Sequence, residues 1–454
     1  MSSKRDLVEA HDYNRRRLIT AFVSGAPGGR EVEPVRYARA LIGGVVLAGL
    51  VLAGAAVGGL IKPQLPDGWN DYGLIVNEDT GARYIALKDT LYPVINTASG
   101  RLIASSEDGQ VTINSVGGDQ LEGMKIGSTI GIPGAPDALP PAGSLVQDGW
   151  VACTNEQGGL QVTVNDPSPA TPVPETALLV EAGLEQGERY LISGTRRYPV
   201  SGRNIDNTLR TLGLPTNPFK APGNWVNLPE AGPEIAPFEV PGQGDRVETG
   251  VPGLDRAGVP VTQGGRYYIL TSRGGEAALM EVSEFAYAVY TSGGPGAQFE
   301  PQSPAAGELR RIESTQPPSD LASIFAEWPQ TRPDAYNEGS PCLMLRDRGD
   351  FTETSLAVPT SEEAVPDGSA TGVSVQEGRG AVVQESSANV RSEGGDVILI
   401  DSTGTRFTMD SDARARLGYG SVSVPAVSQG WTLLFEDGPA LSRTQAAQLA
   451  AADR

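Results

Sequence analysis

Histidine is almost missing from this sequence, since His11 is the only one among 454 residues. With a single histidine near the N-terminus, we exclude Ser-His-Asp and Cys-His catalytic sites and metal sites with several histidines within one chain. We therefore expect no catalytic residue of these classes, no metal ligand set and no cofactor.

Cysteine is also scarce. Cys153 and Cys342 are the only two, and 189 positions separate them. They cannot form a CxxC redox pair or a four-cysteine zinc site. Residues 149–153 and 341–345 have the composition of strands, which we expect to present the two cysteines to each other in a central β region. Two interpretations stay open, a disulfide and a pair of free buried thiols.

Basic residues are outnumbered, because 35 Lys and Arg face 55 Asp and Glu, a net charge of −20. A nucleic-acid-binding protein needs a basic stripe to neutralise phosphates, so we expect no nucleic-acid partner. None of the five lysines is followed by Ser or Thr, which excludes a Walker A motif. The sequence likewise has no S-x-x-K and no G-x-S-x-G nucleophile motif.

Glycine and proline are plentiful. The 57 glycines and 35 prolines make up about a fifth of the chain, against roughly 12% on average. This high content of glycine and proline excludes a mostly helical protein and favours many short strands joined by tight turns. Residues 361–380 predict an acidic, mobile loop.

Residues 41–61 form one uninterrupted apolar run without a charged side chain. As a helix of 21 residues this segment would measure about 31 Å, close to the ~30 Å hydrocarbon core of a bilayer. A buried core helix of this length normally shows a polar stripe, and a signal peptide has a much shorter N-terminal region. We therefore predict a retained transmembrane helix.

The charges on either side predict its orientation. Residues 1–40 carry 8 basic and 5 acidic side chains, a net of +3, whereas residues 63–454 carry 26 and 50, a net of −24. The positive-inside rule places the N-terminus in the cytoplasm and the long acidic region outside. Outside the cytoplasm disulfides persist, which favours a Cys153–Cys342 bond over free thiols.

A short pattern, Gly-x-Arg-aromatic, occurs four times, beginning at Gly81, Gly187, Gly264 and Gly404. Apolar runs precede three of these copies, and we interpret each as a β-hairpin whose glycine occupies the turn. Trp225 and Trp431 are each followed by a Gly-Pro seven residues later. These echoes predict repeated β-β-α modules, with ordinary core strands ending at a Gly-Pro turn as the alternative for the tryptophan segments.

Several runs resemble the EccB family of type VII (ESX) secretion systems. They are residues 10–18 (AHDYNRRRL), the apolar span, residues 81–87 (GARYIAL) and, most specifically, residues 91–103 (LYPVINTASGRLI). The resemblance covers nearly the whole chain, and Cys153 and Cys342 match the disulfide pair of the family. It implies a membrane subunit of a secretion complex, with EccC, EccD, EccE and further copies of itself as partners.

The expected fold is α+β and rich in β structure, with a single N-terminal transmembrane helix. By resemblance, the extracytoplasmic region holds four ββα-type repeats around a central disulfide-linked β domain. The expected divisions are 1–40 (cytoplasmic segment), 41–61 (transmembrane helix), 62–110 (repeat 1), 111–165 (central, first part), 166–240 (repeat 2), 241–310 (repeat 3), 311–385 (central, second part) and 386–454 (repeat 4).

Function is expected to be structural, within an export complex of the inner membrane. The apolar Leu18, Ile19 and Phe22 beside Arg15–Arg17 predict a helix that docks on partner subunits, with anchoring to anionic lipid as the alternative. Two other functions stay open, a nucleotide-hydrolysing or cell-wall-cleaving enzyme and a cell-wall-binding module.

Overall fold

The computed structural model describes residues 3–24, 37–60, 69, 71–106, 109–183, 187–202, 204–305, 307–387 and 395–449. The side chains of residue 37, of residues 54–60 and of residue 71 lie outside the description. The chain forms two compact units, residues 1–65 and 66–454.

The described residues of the first unit form two helices, α1 Lys4–Ser24 and α2 Tyr37–Leu60. The span expected at 41–61 falls on α2, except for residue 61, which lies outside the described residues. Within the part of the chain that the structure describes, no helix combines the length and the hydrophobicity needed to cross a bilayer.

The second unit begins with a five-stranded sheet. Its elements are β1 Asp71–Asn77, β2 Arg83–Leu87, β3 Thr90–Pro93, α3 Thr97–Ala104, β4 Ile113–Val116 and β5 Lys125–Ile126. β1 to β3 form an antiparallel meander. After the helix, β4 pairs in parallel with β1, and β5 pairs in parallel with β3. The strand order is therefore β4-β1-β2-β3-β5.

The next three strands along the chain are β6 Trp150–Thr154, β7 Leu160–Val164 and β8 Ala170–Pro172. They belong to a central sheet that later strands complete. The second sheet begins after them. The second sheet comprises β9 Thr176–Ala182, β10 Arg189–Ser193, β11 Arg196–Pro199, α4 Ile205–Thr211, β12 Phe219–Ala221, α5 Gly223–Val226 and β13 Glu230–Ala231. Its order, β12-β9-β10-β11-β13, has the same connectivity as the first sheet.

The third sheet contains β14 Pro260–Gln263, β15 Arg266–Arg273, β16 Glu276–Val282 and β17 Glu313–Thr315, with α6 Glu284–Ser292 between the last two. β17 runs parallel to β16, and a single parallel bridge joins Val261 on β14 to Gln302. Next come α7 Ser319–Glu327 and β18 Asp334–Ala335, which extends the second sheet beside β9.

The chain then completes the sheet begun by β6 to β8. It adds β19 Cys342–Asp347, β20 Thr352–Pro359 and β21 Thr371–Val375. This central sheet has the order β21-β7-β6-β19-β20-β8. β21 lies inside residues 361–380, where the sequence predicted a mobile loop. That prediction is wrong for the five residues of β21, because they pair in parallel with β7.

The last sheet has the connectivity of the first two. Its elements are β22 Ala381–Ser386, β23 Val397–Ile400, β24 Thr405–Met409, α8 Ser411–Arg414, β25 Ala426–Ser428, α9 Gln429–Thr432 and β26 Glu436–Asp437, before α10 Arg443–Ala446. A π-helical turn, Ala415–Tyr419, continues α8. Short 3-10 helices lie at Gly118–Gln120, Ala142–Ser144, Gly294–Gln298, Glu308–Arg311 and Glu362–Ala364.

These pairings differ from the sequence expectation in three respects. Each hairpin carries a third strand before its helix, so the order is βββα rather than ββα. The divisions expected at 110, 310 and 385 fall inside sheets, because β4, β17 and β22 pair across them. Trp225 and Trp431 lie on the short helices α5 and α9, not on core strands.

The Gly-x-Arg-aromatic copies are not all equivalent. The copies at Gly81, Gly187 and Gly264 open the second strand of their sheets, whereas the copy at Gly404 opens the third strand, β24. Each sheet runs three adjacent antiparallel strands, so a glycine turn followed by an arginine and an aromatic residue fits either hairpin.

Alternating side chains on the sheets build separate cores. One face of the central sheet packs with one face of the second and last sheets, around Trp150, Trp225 and Trp431. The opposite face of the last sheet packs on the first sheet, and the opposite face of the second sheet packs on the third. The period-two alternation of strands lets one sheet contribute to two cores.

The indole N–H groups of the three tryptophans in this core are all hydrogen-bonded. Trp150 donates to the Val146 carbonyl at 2.8 Å, Trp225 to the Ala152 carbonyl at 2.8 Å, and Trp431 to the Thr354 hydroxyl at 2.9 Å. Trp225 and Trp431 thus tie helices of the second and last sheets to strands of the central sheet. Their polar N–H groups are satisfied while their large apolar surfaces are removed from water.

Replacing Trp431 by alanine should lower the free energy of unfolding by about 3–5 kcal/mol, because it leaves a cavity and an unpaired Thr354 hydroxyl. Denaturant unfolding of the full chain in mild detergent, followed by circular dichroism, measures the loss. The matched control is Leu433→Ala, two residues away and 57% exposed, which should change stability by less than about 0.5 kcal/mol. Equal effects of the two substitutions would contradict this assignment.

Candidate assembly surfaces

The disulfide lies in the middle of the central sheet. Antiparallel pairing of β6 with β19 sets Cys153 directly opposite Cys342, with 3.9 Å between their Cα atoms. Both cysteines are fully buried and are joined by an S–S bond. The disulfide expected from the sequence is therefore present, and so are the two strands expected to carry it.

This bond closes a long segment of the chain. The residues between the cysteines contain the whole second and third sheets. The sulfurs lie on the face of the central sheet opposite the tryptophan core, in a small cluster with Val151, Met344 and Ala357. The adjacent residues also pair, since the Thr154 N–H donates to the Pro341 carbonyl at 2.9 Å. The bond thus holds together two neighbouring strands whose cysteines are 189 positions apart in sequence.

The N-terminal helix α1 displays apolar side chains without covering them. Leu18, Ile19 and Phe22 are exposed by 66%, 55% and 91%, and Val23 is also exposed. Because residues four apart lie on the same side of a helix, Leu18–Phe22 and Ile19–Val23 form one apolar ridge. Arg15, Arg16 and Arg17 precede this ridge directly, and His11 lies exposed on the same helix. The structure therefore brings the predicted docking residues together on one surface.

Residues 91–103, the most specific of the runs that resemble the EccB family, contain the capped N-terminus of α3. Asn96 caps α3 by accepting a hydrogen bond from the Ser99 N–H at 3.0 Å. Asp137 accepts from the Thr97 N–H at 2.8 Å and from Arg83 at 2.7 Å. Partial burial raises the pKa of Asp137, but these hydrogen bonds and the Arg83 charge outweigh it, so the pKa lies below its ordinary value.

Arg83 is the arginine of the first Gly-x-Arg-aromatic copy, and the second copy behaves alike. There Arg189 contacts Asp206 in the first turn of α4 at 3.4 Å. In both sheets an arginine at the start of the second strand meets a carboxylate near the N-terminus of the following helix. Asp206 belongs to α4 itself, whereas Asp137 lies in the loop after β5 and binds the Thr97 N–H at the start of α3.

In the last sheet Arg406 instead contacts Glu385 at 3.3 Å, on the first strand β22 two strands away, and Asp437 at 2.7 Å, on the adjacent strand β26. The acidic partners were not identified from the sequence, because nothing in its spacing connects Asp137 to Arg83.

Among the described residues, no cluster of three or more His, Cys, Asp or Glu side chains is arranged to hold a metal ion. The ion pairs just described are explained by strand and helix packing. The described residues thus form an α+β scaffold that contains one disulfide, and a helix, α1, that carries an exposed apolar ridge.

Comparison with known proteins identifies this scaffold. The family described as "Type VII secretion system ESX-1, transport TM domain B" matches residues 1–452. The chain therefore belongs to the EccB family of type VII secretion systems.

Relatives and solved structures agree with this assignment. The "ESX-3 secretion system ATPase EccB3" of Mycobacterium tuberculosis H37Rv is 26% identical, over 91% of this chain and 84% of its own length. The EccB3 dimer from the ESX-3 core complex has a TM-score of 0.64 and 20% identity, covering 83% of this chain and 100% of its own. A chain of the periplasmic assembly from the ESX-5 inner membrane complex gives 0.60 and 19%, covering 85% and 98%. At these identities the two structures show the shared fold.

Replacing either cysteine by serine should lower the free energy of unfolding, by up to about 5 kcal/mol on the chain-entropy estimate for so long a loop. The Cys153→Ser, Cys342→Ser double variant should be no less stable than either single variant, because one substitution already removes the link. Thermal unfolding with and without reductant measures this. Reductant should lower the melting temperature of the wild-type protein and leave that of the double variant unchanged. A double variant that is much less stable than both single variants would contradict the disulfide as the cause of the loss.

Proposed function

We propose that this chain is a structural subunit of the inner-membrane complex of a type VII secretion system. The observation that carries this proposal is the family match across residues 1–452. A chain of an ESX-5 periplasmic assembly resembles 85% of this chain in fold, which supports an extracytoplasmic position for the sheets. The large scaffold of five sheets offers surface for contacts with other subunits, for which we propose EccC, EccD, EccE and further copies of this chain.

Residues 41–61 are proposed to cross the membrane once, with residues 1–40 in the cytoplasm. Their lack of charge and the difference between +3 before and −24 after the segment support this orientation. The buried disulfide agrees with an oxidising compartment for the sheets.

Protease added outside spheroplasts should digest most of the chain and leave a small membrane-bound fragment containing residues 1–61. Immunoblots with one tag at each terminus measure this, and lysed spheroplasts, in which both tags are accessible, provide the control. Survival of an intact C-terminal tag in unlysed spheroplasts would overturn the orientation.

The four sheets outside the central one are proposed to be copies of a single unit. Three of them share the order in which the fourth strand joins the first and the fifth joins the third. The third sheet keeps the parallel pairing of its last strand with its third, and the Val261–Gln302 bridge replaces the other parallel strand. These units would surround the central disulfide-linked sheet.

Nucleotide hydrolysis is the second candidate, because the mycobacterial relatives are named as ATPases. The absence of Walker A from the sequence argues against a phosphate site of that class in this chain. Steady-state ATP turnover by the purified full-length chain tests this directly. Turnover that co-purifies with the chain through two unrelated columns and saturates with ATP would replace the structural proposal by a catalytic one.

The exposed ridge of α1 is proposed to dock on partner subunits. Leu18→Ala combined with Phe22→Ala should leave membrane insertion intact, yet reduce the EccC and EccD recovered with the chain by at least about tenfold. Affinity purification from mild detergent, quantified by mass spectrometry, measures this.

Tyr13→Ala provides the matched control, because Tyr13 is exposed on α1 but lies on a different side from Leu18 and Phe22. It should retain the partners. Normal recovery of EccC and EccD with the double variant would refute docking and favour a helix held to anionic lipid by Arg15–Arg17.

A further inference from the structure

The two edges of the central sheet are built differently. At one edge lies β8, which pairs with β20. At the other lies β21, which pairs with β7. A strand at an edge exposes backbone N–H and C=O groups that another chain can pair with, unless side chains or prolines prevent it.

The β8 edge is blocked by proline. The Val173 N–H bonds to Leu356 and the Thr360 N–H bonds to Pro169, so residues 169, 171 and 173 face β20. Residues 170, 172 and 174 therefore face outward. Two of these three are Pro172 and Pro174, which have no N–H to donate.

The β21 edge has no such protection. The Leu160 N–H bonds to Ala370 and the Gln376 N–H bonds to Val164. With the parallel register, these bonds direct residues 370, 372, 374 and 376 toward β7. The N–H and C=O groups of Thr371, Val373 and Val375 consequently point away from the sheet. Within the described part of the chain no hydrogen bond reaches them.

The side chains of β21 also leave this edge accessible. The sequence from 371 to 375, TGVSV, contains no proline and no charge. Val373 and Val375 pack inward against the tryptophan core, which anchors the strand. Thr371 and Ser374 are exposed and the remaining three residues are half-buried. A strand anchored by its side chains with free outward backbone groups is a ready template for strand addition.

The charges around β21 indicate what kind of strand fits. Glu362, Glu363 and Asp367 precede it and Glu377 follows it, and all four are exposed. Arg379 is the one basic residue between 361 and 380, and its guanidinium already contacts Asp166 at 3.2 Å. A second copy of this edge would bring two acidic sets together, whereas a basic segment would complement them.

We propose that β21 is a docking edge that accepts an extended, positively charged segment of a partner protein as an added strand. The segment pairs with the backbone of Thr371, Val373 and Val375, and its Lys or Arg side chains face the acidic residues at both ends of β21. This proposal goes beyond the structural role proposed above and does not depend on the membrane placement.

The test uses the full-length chain in mild detergent and a blocked probe peptide, acetyl-Lys-Val-Thr-Val-Thr-Val-Lys-amide. Hydrogen exchange resolved to single residues should show the amides of 371, 373 and 375 slowed by about tenfold or more on binding. The amides of 372 and 374, already bonded to β7, should not change. A peptide with Glu in place of both Lys residues should bind at least about tenfold more weakly.

Val373→Pro removes one outward N–H without removing a bond to β7, and should weaken the Lys peptide by at least about tenfold. Val373→Ala is the matched control, because it shortens the side chain but keeps the N–H, and it should bind the Lys peptide within about twofold of wild type.

Two outcomes would overturn the proposal that β21 is a docking edge. One is amide exchange at 371, 373 and 375 that saturating peptide leaves unchanged, and the other is undiminished binding of the Lys peptide to Val373→Pro. Equal binding of the Glu peptide would overturn the choice of a basic partner. Self-association of the chain that Val373→Pro abolishes would overturn it as well, by identifying a second copy as the occupant.

Discussion

The pairing of β6 with β19 is the constraint on which the rest of the second unit depends. These strands are adjacent in space although the second and third sheets lie between them in sequence. Closing so long a loop is entropically costly, and the Cys153–Cys342 bond moves much of that cost into the unfolded chain. Once the pair is fixed, β7 and β20 can add on either side by short hairpins. The central sheet then presents one apolar face that neighbouring sheets can cover.

That face explains why the tryptophans matter more than their number suggests. Trp225 and Trp431 belong to helices of different sheets, yet each donates a hydrogen bond to the central sheet. Each indole buries a large apolar area and places its one polar atom on an identified acceptor. Together they fix the second and last sheets against the same face. The scaffold thereby joins parts of the chain that lie roughly two hundred residues apart in sequence.

Patterns in the sequence identified the hairpins but not which strands of each sheet a hairpin joins. The glycines of three Gly-x-Arg-aromatic copies, Gly81, Gly264 and Gly404, have the positive φ that a turn between strands needs. Gly187 does not, and a side chain there would instead collide with the Ala182 carbonyl. Which strand followed was not recognisable, because Arg406 opens a third strand and Arg83 a second one. The matched spacing after Trp225 and Trp431 was real, yet both lie on helices of four residues. Such short helices have almost no periodicity, so burial against the central sheet decides their conformation.

The sequence by itself determined the composition of this protein: many short strands, two cysteines able to bond, an apolar run at 41–61, exposed apolar positions at Leu18 and Phe22, and membership of a family. These features are local, because turn residues, alternation and charge are properties of neighbouring positions. Only the tertiary structure decided that Asp137 meets Arg83, that β4 and β5 flank a meander, and that residues 371–375 form an edge strand. Each of those depends on pairing between distant segments, and backbone hydrogen bonds, which are the same for every residue type except proline, leave almost no trace in the sequence.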